Sequence, residues 1–278
     1  KCDYCDFFSL SGVAPVRMEE TVEATVRDLR DLLPAALESG APVPTLYVGG
    51  GTPSVLPSRS LERLLGAVAE LLPRPPEEWT VELNPETLTR DTLKVLRETG
   101  VDRVSLGVQS LTEAGLRALG RAAGAERTLR SVELLSDTWA GRWNADLILG
   151  FEGDYPERVE RDLKLLAGFG ARHLSVYALT LEAGTPLAAR VKAGSVTLPG
   201  EDELLELLAV AECELERHGM ERYEVSNYAF PGEESLHNLR YWRMSPYLGV
   251  GPAAASTLYN PGNPVTGLRL DGVRSVER

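Results

Sequence analysis

The feature that most constrains this chain is an alternation, over its first two thirds, of short β-rich runs with longer stretches whose apolar residues recur at helical spacing. Such alternation predicts a parallel sheet covered by helices, because a parallel strand is reached only through a long crossover. The predicted strands are Thr45–Val48, Trp79–Glu82, Arg103–Gly107, Asn144–Leu149 and Arg172–Tyr177. Between them, Val22, Val26, Leu29 and Leu33 share one helical face; Leu61, Leu64, Leu65, Val68 and Leu72 share another. Ser58 and Thr89 are expected to cap helix starts, Gly40 and Gly100 to stop helices, and Pro34 to kink or end the first one. After about residue 185 the character changes. Glu201–Gly219 reads as a long helix carrying Leu204, Leu205, Leu208 and Val210, Tyr223–Val225 as a short strand, and the segment from Pro261 onward as turns with little periodicity.

In parallel α/β folds the working residues gather at the C-terminal ends of the strands. This sequence puts its unusual residues there: Gly49-Gly50-Gly51, Glu82, Gln109 and Asp146. Three glycines after a strand let backbone N–H groups approach a polar or anionic ligand closely, or simply make a tight strand-to-helix turn. Neither a Walker A pattern nor G-x-G-x-x-G is present, so nucleotide phosphate is not the indicated ligand.

The opening Lys1-Cys2-Asp3-Tyr4-Cys5-Asp6-Phe7 carries two thiols separated by two residues. Such a pair can ligate zinc, ligate an iron–sulfur cluster or act as a redox dithiol. No second C-x-x-C or paired histidine completes a zinc site, and the residues alone leave the three chemistries open. The third thiol, Cys213, lies mid-helix and is expected to be a buried structural cysteine. Three cysteines are too few for a disulfide framework, which favours a reducing cytoplasm. A net charge of −12 without any Lys/Arg block argues against a nucleic-acid surface. No apolar run approaches the roughly 18 residues of a membrane span.

Taken in order, KCDYCDF, YVGGGTPS, VELNPET, RVSLGVQS, LGR, DLILG, HLSVYALTLEAGTP, YEVSNYA and HNLRYW resemble the radical S-adenosylmethionine (SAM) family of the oxygen-independent coproporphyrinogen III oxidase type, and within it the heme-chaperone (HemW) branch. The resemblance spans nearly the whole chain. It implies a partial (β/α)6 TIM-type barrel over residues 1–185 and a smaller C-terminal α/β extension over 186–278, which this chain is expected to carry only in part. It also implies a 4Fe–4S cluster on C-x-x-x-C-x-x-C. Cys2 and Cys5 match the second and third ligands; the first cysteine, and a first strand ahead of it, are expected before Lys1.

The SAM contacts implied by the resemblance are Tyr4 near the adenine and Gly50, Gly51 and Thr52 at the methionyl amino group. Glu82 and Arg121 would meet the charged methionyl end, and Gln109 and Asp146 the ribose hydroxyls. Reductive cleavage would yield methionine and a 5′-deoxyadenosyl radical, given an electron donor such as flavodoxin or ferredoxin. Phe7 stands where the oxidases resemble one another in a further cysteine. His237, Asn238, Tyr241 and Trp242 match the H-N-x-x-Y-W of the chaperone branch, which implies heme as cargo, with His237 as axial ligand, and a heme-acceptor protein as partner.

Two departures stand out. Ala123 and Ala255 occupy positions where many relatives carry histidine, and alanine neither ligates metal nor moves a proton. The loop Phe151-Glu152-Gly153-Asp154 is also more polar than the family form. The alternatives are a radical decarboxylase acting on coproporphyrinogen III and a cluster-free binding or scaffold domain that keeps the fold.

Overall fold

The structure, a computed structural model, describes residues 1–10, 12–36 and 42–257. Gly40 and the segment from Pro261 onward lie outside these residues. Nine helices and seven strands alternate along the described residues: α1 Pro15–Ala36, β1 Thr45–Val48, α2 Ser58–Leu71, β2 Glu78–Leu83, α3 Arg90–Thr99, β3 Arg103–Gln109, α4 Glu113–Ala118, α5 Ala125–Thr138, β4 Arg142–Leu149, α6 Pro156–Gly168, β5 His173–Ala178, α7 Pro186–Lys192, α8 Glu201–Arg217, β6 Glu221–Arg222, β7 Asn227–Ala229 and α9 Leu236–Trp242. Strands β1 to β5 run parallel in sequence order, each joined to the next through helix. Then β7 adds antiparallel to β5, and β6 to β7, so the segment after α8 extends the same sheet.

Side chains alternate across the lower part of this sheet. Trp79, Val81 and Leu83 of β2, Val104, Leu106 and Val108 of β3, and Trp143, Ala145, Leu147 and Leu149 of β4 belong to one continuous apolar core. That core includes Leu61 and Leu65 of α2, Leu96 of α3, Leu135 of α5 and Leu163 of α6. Burying each such side chain stabilises the fold by roughly 1.5–3 kcal/mol relative to exposure. The intervening residues are polar: Thr80 and Glu82, Arg103 and Ser105, Asn144 and Asp146, His173 and Ser175. They line one cavity together with Tyr47 of β1 and Tyr177 of β5. Residues of the first and fifth parallel strands can share a cavity only if the sheet curls around it, while β1 and β6 end the sheet without pairing to each other among the described residues. The fold is therefore a partial barrel with a polar lumen.

The predicted strands of the parallel sheet match those formed. Thr89 caps α3, its hydroxyl accepting from the Thr92 N–H at 3.1 Å, and Gly100 closes that helix at φ 94°, where only glycine is unstrained. Several expectations are corrected. Ser58 is the first residue of α2 and Pro57 precedes it as cap, so the hydroxyl caps nothing. Pro34 does not stop α1 at its own position, since the helix continues to Ala36. Tyr223–Val225 is a loop, flanked by the short strands β6 and β7 that replace the single predicted strand. Cys213 is exposed. The buried stripe of α8 runs through Leu207, Ala211, Glu214 and Leu215, and position 213 falls about 200° around the helix from 211.

Candidate functional site

The thiol loop is fastened at the barrel's C-terminal rim. The Cys5 N–H donates to the Cys2 carbonyl at 3.4 Å, closing a turn around Asp3 and Tyr4. Asp3 ties that turn down on two sides. Its N–H donates to the Leu119 carbonyl at 3.3 Å, its carbonyl accepts from the Leu187 N–H at 2.9 Å, and its carboxylate pairs with Arg190 of α7 at 3.1 Å. Gly120, at φ 64°, lies so close to the Asp3 carboxyl that a Cβ there would collide with it. Tyr4 packs against Leu119, Ile148 and Phe151; burial, with Cys2 next, pushes its phenol well above the ordinary range. Cys2 and Cys5 remain half-buried.

Arg121 converges on the same place. The α4 C-terminus and Gly120 turn the chain so that its side chain, only 4% exposed, runs along the rim. Nη1 donates to the Cys2 sulfur at 3.4 Å, and Nη2 to the Gly107 carbonyl at 2.9 Å and to Asn84 Oδ1 at 3.1 Å. Nε is buried with no partner among the described residues. The guanidinium thus sets a fixed positive charge against the Cys2 sulfur.

Asn84 is the residue that sequence reasoning missed here. Its amide also donates to Thr52 Oγ1 at 2.6 Å, linking the glycine loop after β1 to Arg121. The available signal was its place in VELNPET, immediately after β2. Gly50 takes φ 102°, and a Cβ on Gly50 or Gly51 would meet no atom within 4 Å, so this backbone faces open space at the rim.

Below the loop, Glu82 accepts from the Tyr47 hydroxyl at 2.5 Å and from the Gly50 N–H at 3.2 Å. Burial pushes its carboxyl up to about 7, against the pull of those two hydrogen bonds. Asp146 is not at a strand exit as expected: it lies mid-strand in β4, inside the lumen. It accepts from Ser105 and from Asn144, both at 3.0 Å, and burial pushes it up to about 6. Gln109 ends β3 after an irregularity in the β3–β4 register, at φ 65°, with its amide nitrogen close over Gly107. Tyr4, Gly50, Gly51, Thr52, Glu82, Gln109, Arg121 and Asp146 thus all lie at the rim or in the upper lumen, beside Cys2 and Cys5.

The second predicted group sits elsewhere. Helix α9 lies across the start of β1 and β2, held there by Glu78, which is fully buried. The Glu78 carboxylate accepts from Ser235 Oγ at 3.0 Å and from the Leu236 and His237 N–H groups at 3.1 and 2.9 Å. It also pairs with buried Arg103 at 3.0 Å. His237 Nδ1 is 3.0 Å from Thr45 Oγ1, its ring stacks on Tyr47 (centroids 5.0 Å apart, 22° between planes), and Tyr241 meets its edge. Burial lowers its pKa, so the ring is neutral at neutral pH. Tyr241 and Trp242 are exposed, whereas Asn238 turns the other way, its amide donating to Tyr223 at 3.2 Å. The four residues therefore split: His237 and Tyr241, one turn apart, share a face, Asn238 turns to the lumen side, and Trp242 ends the helix exposed. Of the two departures, Ala123 is buried and its N–H donates to Glu86 at 3.0 Å, while Ala255 lies in a loop packed on Gly249.

A family model described as the Radical SAM superfamily matches residues 1–166. The chain belongs to the radical SAM superfamily. Among curated proteins it is 36% identical over 259 residues to the heme chaperone HemW of Lactococcus lactis, covering 92% of this chain and 66% of that protein. Escherichia coli HemW is 35% identical over 255 residues, covering 91% and 66%. The mitochondrial radical S-adenosyl methionine domain-containing protein 1 of Mus musculus is 37% identical over 257 residues, covering 91% and 57%. The chain thus spans about two thirds or less of the length of these relatives. Among solved structures, E. coli coproporphyrinogen III oxidase, described as a radical SAM enzyme, superposes with a TM-score of 0.77 at 22% identity, over 92% of this chain and 62% of that one. That likeness shows the radical SAM fold.

Membership implies a 4Fe–4S cluster and SAM, and the radical SAM residues present fit both. Soft sulfur donors at Cys2 and Cys5 suit iron, and the family's cluster uses one cysteine more than these two. Among the described residues no third histidine, cysteine or carboxylate joins them. For SAM, the rim offers the unpartnered Arg121 Nε to an anionic group and the buried Glu82 to a cationic one. No helix among the described residues is long and apolar enough to cross a membrane.

Proposed function

We propose that this protein is a cytoplasmic heme chaperone of the HemW kind: it holds a 4Fe–4S cluster and SAM at the barrel rim, binds heme, and passes it to an acceptor protein. The single observation that carries the reading is the similarity to curated heme chaperones along more than nine tenths of this chain, at 35–36% identity for the Lactococcus and Escherichia proteins.

Cys2 and Cys5 would hold two corners of the cluster. Gly50, Gly51, Thr52, Glu82 and Arg121 would hold the methionyl end of SAM, Gln109 and Asp146 its ribose, and Tyr4 would lie near its adenine. Held there and reduced by a flavodoxin- or ferredoxin-like donor, such a cluster would supply one-electron reduction of the sulfonium. What the chain itself contributes is charge placement. Glu82 in its ionised form is drawn to a cation, and the Arg121 guanidinium to a carboxylate, in a lumen where neither is screened by bulk water. The Asp3–Arg190 pair would keep the thiol loop seated.

For heme, His237 is the proposed ligand. Its ring is neutral, as a metal ligand must be, and its Nδ1 is engaged by Thr45, leaving Nε2 as the ligating nitrogen. Exposed Tyr241 and Trp242 on the same helix offer rings that could lie against a porphyrin. Asn238, turned to Tyr223, is left out of the heme contact and given a structural role. The oxidase-like fold carries no activity by itself, and Phe7, 65% exposed, stands where that reading asks for cysteine.

Titrating the anaerobically reconstituted protein with heme tests this. A saturable Soret shift that His237→Ala weakens at least tenfold is the expected result. A wild-type protein with no saturable shift overturns the reading.

A further inference from the structure

Tyr47 touches a residue of each proposed site. Strand β1 sends Thr45 and Tyr47 to one face, because side chains two apart along a strand point the same way. At its start that face meets α9. Thr45 Oγ1 is 3.0 Å from His237 Nδ1, and the Tyr47 ring lies nearly parallel to the imidazole, with centroids 5.0 Å apart and 22° between planes. Further along, the same face meets the rim. The register sets Tyr47 beside Thr80 of β2, which brings Glu82, two residues on, within reach of the phenol. The Tyr47 hydroxyl donates to Glu82 Oε1 at 2.5 Å, and the other carboxyl oxygen accepts from the Gly50 N–H at 3.2 Å.

Gly49 leaves the space for this contact. A Cβ there would stand 2.6 Å from Tyr47 Cε1 and 2.8 Å from the Glu82 carboxyl carbon, so any side chain would push the phenol or the carboxyl aside. The first glycine of the triplet therefore serves the tyrosine–carboxyl pair, while Gly50 and Gly51 face open space. The hydroxyl is also a dependable donor. Burial first, and the Glu82 carboxylate next, hold the Tyr47 phenol well above its ordinary pKa, so it keeps its proton throughout the range in which Glu82 ionises.

We propose that Tyr47 is a positioning residue shared by the two sites: its ring holds the His237 imidazole for heme, and its hydroxyl holds the Glu82 carboxylate for the methionyl ammonium of SAM. The inference rests on the heme-chaperone reading for both ligands. Within the one side chain the two tasks are separable. Stacking uses the ring and not the oxygen, whereas the hydrogen bond uses the oxygen. Without the ring, His237 keeps Thr45 and the edge of Tyr241 but loses the surface that fixes its plane, and a metal-ligating imidazole depends on such support. Without the hydroxyl, Glu82 keeps only the Gly50 N–H and is free to turn about its broad terminal torsion.

Tyr47→Phe and Tyr47→Leu separate the tasks. Wild type and both variants, reconstituted anaerobically, are titrated with heme by the Soret band and with SAM by calorimetry. Tyr47→Phe is expected to bind heme like wild type and SAM several-fold more weakly. Tyr47→Leu is expected to lose affinity for both several-fold. General damage to the fold lowers both affinities together, so the split in Tyr47→Phe is the diagnostic, and it stands even where Tyr47→Leu fails to fold. Tyr47→Phe that binds SAM like wild type, or that loses both ligands equally, overturns the inference. Wild type that binds heme through His237, beside a Tyr47→Leu protein that binds it equally well, overturns the inference alone. Wild type with no saturable Soret shift overturns the heme reading and the shared role with it.

Discussion

Glu82 makes the energetic character of the rim measurable without any cofactor. Its carboxyl is carried by burial from an ordinary 4.5 to about 7. At 1.36 kcal/mol per tenfold change in proton affinity, ionising it inside the fold costs roughly 3 kcal/mol more than in the unfolded chain. The sign follows from proton counting. Below pH 4.5 both states are protonated and the group contributes no pH dependence. Between 4.5 and about 7 the unfolded chain sheds its proton first, so the folded state binds more protons and stability falls as pH rises; above about 7 the loss is complete. Asp146, raised to about 6, adds a loss of the same sign over a slightly lower window.

Urea unfolding of the cofactor-free protein at intervals from pH 5 to 8.5 reads this directly. Glu82→Gln removes the titration while keeping an acceptor for the Tyr47 hydroxyl. The variant is expected to lose less stability over that range than wild type, by an amount approaching ~3 kcal/mol. Set against it is about 1 kcal/mol for the Gly50 N–H, left facing an amide. That second cost is the same at every pH, so the slope, not the absolute stability, is the diagnostic. If wild type and variant lose stability in parallel, Glu82 is solvated rather than buried and the account of the rim fails.

Two further outcomes follow from the same geometry. Glu78→Ala leaves Arg103 as an uncompensated buried charge and uncaps α9, and it should destabilise the protein by about 3–5 kcal/mol in denaturant titration; a loss under 1 kcal/mol would mean the pair contributes nothing. Gly120→Ala puts a methyl into the Asp3 carboxyl at a left-handed φ of 64°. It should cut iron loading at the thiol loop at least severalfold, measured as iron and sulfide bound per chain, while the far-ultraviolet circular dichroism stays unchanged.

The sequence by itself determined the parallel sheet. Strand runs separated by amphipathic helices admit few other arrangements, and each of the five predicted parallel strands formed within two residues of its expected ends. Ordered motifs likewise brought Cys2, Cys5, the glycine loop, Glu82 and Arg121 to the same end of that sheet, because parallel connectivity puts every β-to-α loop on one side. Burial was not legible. The alternation Glu78, Thr80, Glu82 or Asn144, Asp146 reads as a wet face in any sheet, and only curling turned it into a lumen where carboxylates resist ionisation. The same closure moved Asp146 from an expected rim position into the interior. Cys213 was misplaced because local spacing says which residues share a face, while the position of α8 against α6 decides which face is covered. The Glu78–Ser235 cap and the Tyr223–His173 relay join residues 157 and 50 positions apart. No local pattern encodes such pairs; they exist because the chain after α8 returns to close one end of the barrel.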